Sequence, residues 1–228
     1  MPNHSFNIAA QQTAGIEINK VLRNTYALLG ATLLFSAAAA AISMAIGLGF
    51  GTALIMNLVA IALVWFVLPR TANSVNGIYV VFAFTGLLGA ALGPTLQHYL
   101  AMSNGGTIVM QALGTTALVF FGLTAYVLTT RKDFSFLGGF LMTGLIVAVV
   151  AMFGLMIASF FGVHIAGAQL GLSAVIAMIM SGFILYDTSR IINGGETNYI
   201  LATVALYLDI YNLFVSLLHI IGAFSGDD

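Results

Sequence analysis

The chain has 228 residues, 61% of them apolar and only 6% charged, with a formal net charge of −1 and a mean hydropathy of +1.07. A soluble domain carries about 25% charged residues, so this chain has too little polar surface to cover a water-soluble particle, and its apolar residues must face lipid. The near-neutral charge leaves no electrostatic footprint for nucleic acid, and a sequence without cysteine has no disulfide, thiolate nucleophile or Cys-ligated metal centre.

In chain order, residues 1–19 are polar enough to form a flexible cytoplasmic tail, followed by one membrane domain over 20–228. Crossing the hydrocarbon takes roughly 20 mostly apolar residues in a helix. The runs predict seven such helices near Leu22–Leu48, Thr52–Leu68, Ile78–Leu100, Thr107–Thr130, Phe136–Phe161, Gly167–Ile192 and Thr197–Phe224. Membrane β-strands would alternate in polarity, whereas runs such as Leu145–Ile157 are continuous. The breaks are turn chemistry: Gly47, Gly49 and Gly51, then Pro69 with Asn73 and Asn76, then Asn104-Gly105-Gly106 and Asn193-Gly194-Gly195. Pro94 should kink the third helix or mark its outer end. The first run is too long for a cleavable signal sequence, despite the small residues Ala37–Ala41, and more membrane follows it. No internal repeat supports an inverted-repeat transporter.

All six Lys and Arg residues fall in four places: Lys20 with Arg23, then Arg70, then Arg131 with Lys132, then Arg190. With seven spans these places share one face. The positive-inside rule then sets the N-terminus in the cytoplasm and the C-terminal Gly226-Asp227-Asp228 on the periplasmic side. The expected fold is an all-α membrane protein, a seven-transmembrane-helix bundle. The pairs Gly47/Gly51, Gly89/Gly93, Gly167/Gly171 and Gly222/Gly226 barely exceed what 25 glycines give by chance. They read as close helix packing.

The intramembrane acids are more informative. Asp209 lies about 12 residues into the last predicted span, roughly 18 Å along a helix. A carboxylate at a helix centre costs about 2.5 to 3.5 kcal/mol to insert, so it marks a functional site by default. Asp209, Asn212, Ser216 and His219 fall on one stripe, expected to face the bundle interior. Asp187 lies near the inner end of the sixth span, on a face with Gln169 and Ser173. The sixth and seventh spans are joined by a short turn and should be antiparallel neighbours, so the two carboxyls could share one proton. Ideal helices leave them about 9 Å apart in depth, and contact then needs tilt, a kink or different helix ends. Asp187 could instead simply pair with Arg190 at i+3. His98 and His164 are expected near the outer face, in solvent.

Two intramembrane aspartates raise the idea of a di-aspartyl protease. Tyr186-Asp187 fits a first motif of that chemistry, but Leu206-Tyr207-Leu208-Asp209 stands where Gly-x-Gly-Asp would be needed. No nucleophile elbow or His-Glu-x-x-His is present. The sequence therefore reads as a non-enzyme, without a cofactor or a resident metal.

Ile184-Leu185-Tyr186-Asp187-Thr188, followed by Leu206-Tyr207-Leu208-Asp209 and Asn212-Leu213-Phe214, resembles the Bax inhibitor-1 (TMBIM) family. Val21–Tyr26, Phe82–Gly86, Tyr126–Asp133, Ser135–Gly139 and Gly194–Ile200 extend the likeness over essentially every span. Within the family it is strongest to bacterial inner-membrane members. The resemblance implies two activities. One is binding and restraint of the FtsH membrane protease complex. The other is a pH-sensitive calcium or cation leak, with Asp187 and Asp209 as the latch and calcium as the transported ion. It also implies an Arg from the second span beside the pair, and Arg70 is the one residue available.

Overall fold

The computed structural model describes residues 3–163, 165 and 167–225, with side chains from 16 onward. Among these residues there are seven helices long and apolar enough to cross a membrane: Ile16–Ala45, Phe50–Thr71, Asn76–Leu100, Gly105–Thr130, Ser135–Phe160, Ala168–Ile192 and Tyr199–Ser225. No strand occurs among them. The predicted bundle is borne out, with most span ends shifted by only a few residues. The first helix starts at Asn3, so the residues expected as a tail lead into the first span as helix from that point. The expectations for His164 and for Gly226, Asp227 and Asp228 lie outside the described residues.

The seventh span is the hub. It packs on the first, third, fourth and sixth, while the second touches only the third and the fifth only the sixth. Half of the apolar window of the third span is buried, against 11% for the fifth. The fifth span accordingly displays large apolar side chains such as Phe140 and Phe160, a liability in water but the proper surface against lipid tails.

In hydrocarbon a freed backbone carbonyl must find a donor inside the protein. Both intramembrane prolines illustrate this. Pro94 has no N–H for the carbonyl of Ala90, and the Ser43 hydroxyl of the first span donates to that carbonyl at 2.6 Å. The third helix therefore runs through Pro94 to Leu100. Pro69 was expected to end the second span at Leu68, but the span continues to Thr71. Here the helix widens into a π-turn over Leu63–Val67, a local loosening that accommodates the proline ring.

Small residues allow the first and third spans to approach closely. A side chain at Gly89 would run into the carbonyl and hydroxyl of Ser36, and one at Gly93 into Ser43. Gly222 is similarly covered by the ring of Tyr99. By contrast Gly47, Gly51, Gly167 and Gly171 face open space, so only some of the glycine pairs serve packing. Ser36 also hydrogen-bonds the Tyr207 hydroxyl at 2.6 Å, and Tyr207 donates to the carbonyl of Thr85 at 3.3 Å. That ring thereby ties the seventh span to the first and third.

Gly89→Ala should lower stability in detergent by about 1–3 kcal/mol, the usual cost of overpacking a close contact. Gly114→Ala, which meets nothing within 4 Å, should leave the thermal midpoint unchanged or slightly higher. Equal midpoints for the two variants would contradict the close packing of the first and third spans.

Candidate functional site

The connection between the last two spans is built to hold their ends in register. Gly194 takes the left-handed conformation at φ 75°, which terminates the sixth helix at low cost. The backbone N–H groups of Gly195 and Glu196 then return to the carbonyl of Arg190 at 2.8 and 3.1 Å. Asn198 caps the seventh helix: its side-chain oxygen accepts from the N–H groups of Ile200 and Leu201 at 2.9 and 3.3 Å. Its amide nitrogen donates to Ala72 O and Asn73 Oδ1, both at 2.9 Å. One side chain thus pins the start of the seventh span to the connection after the second.

Against this fixed end the two aspartates meet. Asp187 and Asp209 are 9% and 5% exposed, and their carboxyls come within hydrogen-bonding reach of each other. Two features close the expected gap in depth. The seventh helix starts at Tyr199 rather than Thr197, which raises Asp209 toward the connection by about 3 Å. Side chains also lean toward the N-terminus of their own helix. In an antiparallel pair Asp187 therefore leans inward and Asp209 leans toward the connection, each toward the other.

Asp187 has a second neighbour, Arg190 Nη1 at 3.8 Å from Oδ1. The same guanidinium faces Glu196 Oε2 at 3.5 Å and donates to Gly195 O at 3.2 Å, and it lies over the ring of Tyr186 at 5.5 Å. Asp187 therefore stands between the arginine and the other aspartate. Among the described residues Asp209 makes no ion pair, and its Oδ2 is buried without a hydrogen-bond partner. Two bare carboxylates in contact repel by about 4 kcal/mol even at an effective dielectric constant of about 20. One proton between them turns that repulsion into a hydrogen bond.

The remaining sequence candidates divide. Ser216 is buried, Asn212 is half-buried with its amide donated back to Leu208 O at 2.8 Å, and His219 is exposed near the far end, beside the Tyr99 ring. The stripe therefore leaves the interior before His219, because the seventh helix turns that face outward. Ser173 is buried while Gln169 is exposed, and His98 is exposed as expected. Arg70 does not join the pair. It is exposed on a span that touches only the third, and its guanidinium returns to the carbonyl of Phe66 in its own helix.

A lock around Ser189 went unread in the sequence. Its hydroxyl accepts the Phe134 N–H at 2.8 Å and the Asn193 amide at 3.3 Å, and donates to Asp133 Oδ1 at 3.4 Å. The Ser135 N–H donates to the same carboxylate at 2.8 Å and holds Asp133 below the usual carboxylate range. A single serine beside Asp187 carries no local pattern that announces a partner 55 residues away.

With this geometry in place, comparison with known proteins is direct. A family model described as "Inhibitor of apoptosis-promoting Bax1" matches residues 18–226. The chain is similar to an uncharacterized membrane protein of Vibrio cholerae serotype O1, 52% identical over 93% of each chain. It is also similar to the modulator of FtsH protease YccA of Escherichia coli K12, 51% identical over 95% of each chain. A counterpart from another Escherichia coli strain, named inner membrane protein YccA, matches to the same extent.

Ser189→Ala leaves the Phe134 N–H without its acceptor, a loss of about 1–3 kcal/mol where the group is shielded from water. The exposed Arg131-Lys132 pair beside it should then be cut by trypsin several-fold faster in detergent-solubilised protein. Unchanged cleavage would mean that the lock does not hold the connection.

Proposed function

This chain belongs to the Bax inhibitor-1 family, and from that premise we propose that it is a multi-pass bacterial inner-membrane protein that binds the FtsH membrane protease and restrains it. The observation that carries the proposal is 51% identity over 95% of both chains to a relative named for that activity. The distribution of Lys and Arg supports a cytoplasmic N-terminus and a periplasmic C-terminus.

The fold suggests how restraint would work. A protease that pulls from the cytoplasm needs a loose end. The connections on the basic face are tied down by Asn198, Ser189 and Arg190, and the bundle behind them has a hub packed on four neighbours. Such a chain engages the protease and unfolds slowly. The handle would be the N-terminal segment ahead of the first long apolar run, residues 1–19, whose polar composition leaves little to hold it in the membrane.

Excess protein should co-purify with FtsH and lengthen the half-life of a second FtsH substrate. Deleting Pro2–Gln12 should slow degradation of this chain itself, because the handle is lost and no packed core with it. No co-purification and no protection would remove the modulator reading. Normal degradation of an inserted truncation would remove only the handle. Reporter fusions should place the N-terminus inside and residues after Phe224 outside; a cytoplasmic C-terminus would overturn the topology.

A second reading, a pH-sensitive cation leak, draws on the close approach of Asp187 and Asp209. With a shared proton the pair ties the sixth span to the seventh. As pH rises and the proton leaves, two like charges push the spans apart. Any cation flux in proteoliposomes should then grow with rising pH, and Asp209→Asn should flatten the response. Absence of flux across the pH range would remove the leak; an unchanged profile in Asp209→Asn would remove the latch.

A further inference from the structure

At the junction of the first, fourth and sixth spans three hydroxyls face one another. The Tyr26 hydroxyl lies within reach of those of Thr188 and Thr124, yet none of the three closes a hydrogen bond and all three oxygens are sealed from solvent. The Thr25 hydroxyl and Asp209 Oδ2 are buried without a partner in the same way. Native interiors rarely leave polar atoms unpaired, and a group of them marks a place for internal water, which needs two to four polar partners.

The position of this trio is informative. Thr188 directly follows Asp187 in the sixth helix, so the trio adjoins the carboxyl pair. On its other side the same three helices form a cleft of about 190 Å³ lined by Ile18, Asn19, Leu22, Leu128, Arg131 and Ile192. Leu22, Leu128 and Ile192 each lie four residues from Tyr26, Thr124 and Thr188, one helical turn nearer the basic face. The cleft therefore stands over the trio, with one layer of apolar side chains between them.

We propose that this three-helix junction is a hydrated proton route, in which waters held by Tyr26, Thr124 and Thr188 connect the Asp187–Asp209 pair to the Asn19–Arg131 cleft. The route rests on the reading of the pair as sharing a proton. On release, the carboxyl O–H bond breaks, the proton bonds to the adjacent water, and that water passes a proton onward until one reaches bulk solvent at the cleft. The charge left behind faces Arg190 and Glu196 on the Asp187 side. The third and fourth spans contain no Asp, Glu, Lys or Arg, and the first places the Tyr26 phenol at the junction. On the rival path, along Asn212 and Ser216, the Asn212 amide is already bonded to its own helix.

Infrared spectroscopy of the full-length protein in lipid nanodiscs tests the route. The carbonyl stretch of a protonated carboxyl, assigned by its loss in Asp209→Asn, shifts when its proton is replaced by deuterium after mixing with D2O. In Thr124→Val/Thr188→Val the exchange should slow by about tenfold, as waters lose the hydroxyls that hold them, while the band keeps its intensity. Tyr26→Phe should slow it too, and serves if the double variant does not fold. Wild-type exchange rates in these variants overturn the route. Slowing by Ser216→Ala in their place overturns it as well, since the proton would then leave along the rival stripe. A wild-type spectrum without any protonated-carboxyl band shows that the shared proton itself is wrong, a failure distinct from that of the route.

Discussion

The contact between Asp187 and Asp209 is the constraint around which the rest of the bundle is arranged. A carboxyl group that deep in a membrane protein needs a partner from another helix, because lipid offers none. For Asp209 that partner is the opposite carboxyl. For the two to meet, the sixth and seventh helices must be antiparallel, adjacent and fixed in register at their shared end. The left-handed Gly194, the returning N–H groups of Gly195 and Glu196, and the Asn198 cap supply that fixed end. The central place of the seventh span follows from the same requirement, since a helix carrying a buried acid and the buried Tyr207 must be covered on several sides.

The same rule operates at smaller scale throughout. Where Pro94 frees a carbonyl, a serine on the neighbouring helix answers it. Where the first and third helices touch, Gly89 and Gly93 on one meet Ser36 and Ser43 on the other, and Ser43 adds a hydrogen bond across the contact. Packing between apolar side chains gives little preference for protein over lipid tails. Specific arrangement therefore falls to close backbone approach and to polar links such as Asn198 to Ala72. The second and fifth spans lack such links to the hub and sit at its edge.

Much of this was legible in the sequence because membrane spans announce themselves by length and apolarity. The seven runs, their turns and the one-sided distribution of Lys and Arg could be read directly, and Asp209 stood out by its cost. Less legible were features set by three-dimensional neighbours. Pro69 reads as a terminator, yet a π-turn lets the span continue. Arg70 shares a face with the other basic residues but belongs to a span that never reaches the pair. His219 continues a helical stripe that the bundle abandons one turn earlier. Ser189, Thr124 and Thr188 are ordinary small residues in apolar runs, and only the meeting of several helices brings them beside residues far away in the chain.

The central claim is that Asp187 and Asp209 act as one unit joining the last two spans. A double-mutant cycle of thermal stability, with Asp187→Asn, Asp209→Asn and both together, tests it most directly. Groups in contact show a coupling of about 0.5–3 kcal/mol, whereas independent sites add. The account predicts coupling in that range. Additive effects of the two substitutions would contradict it.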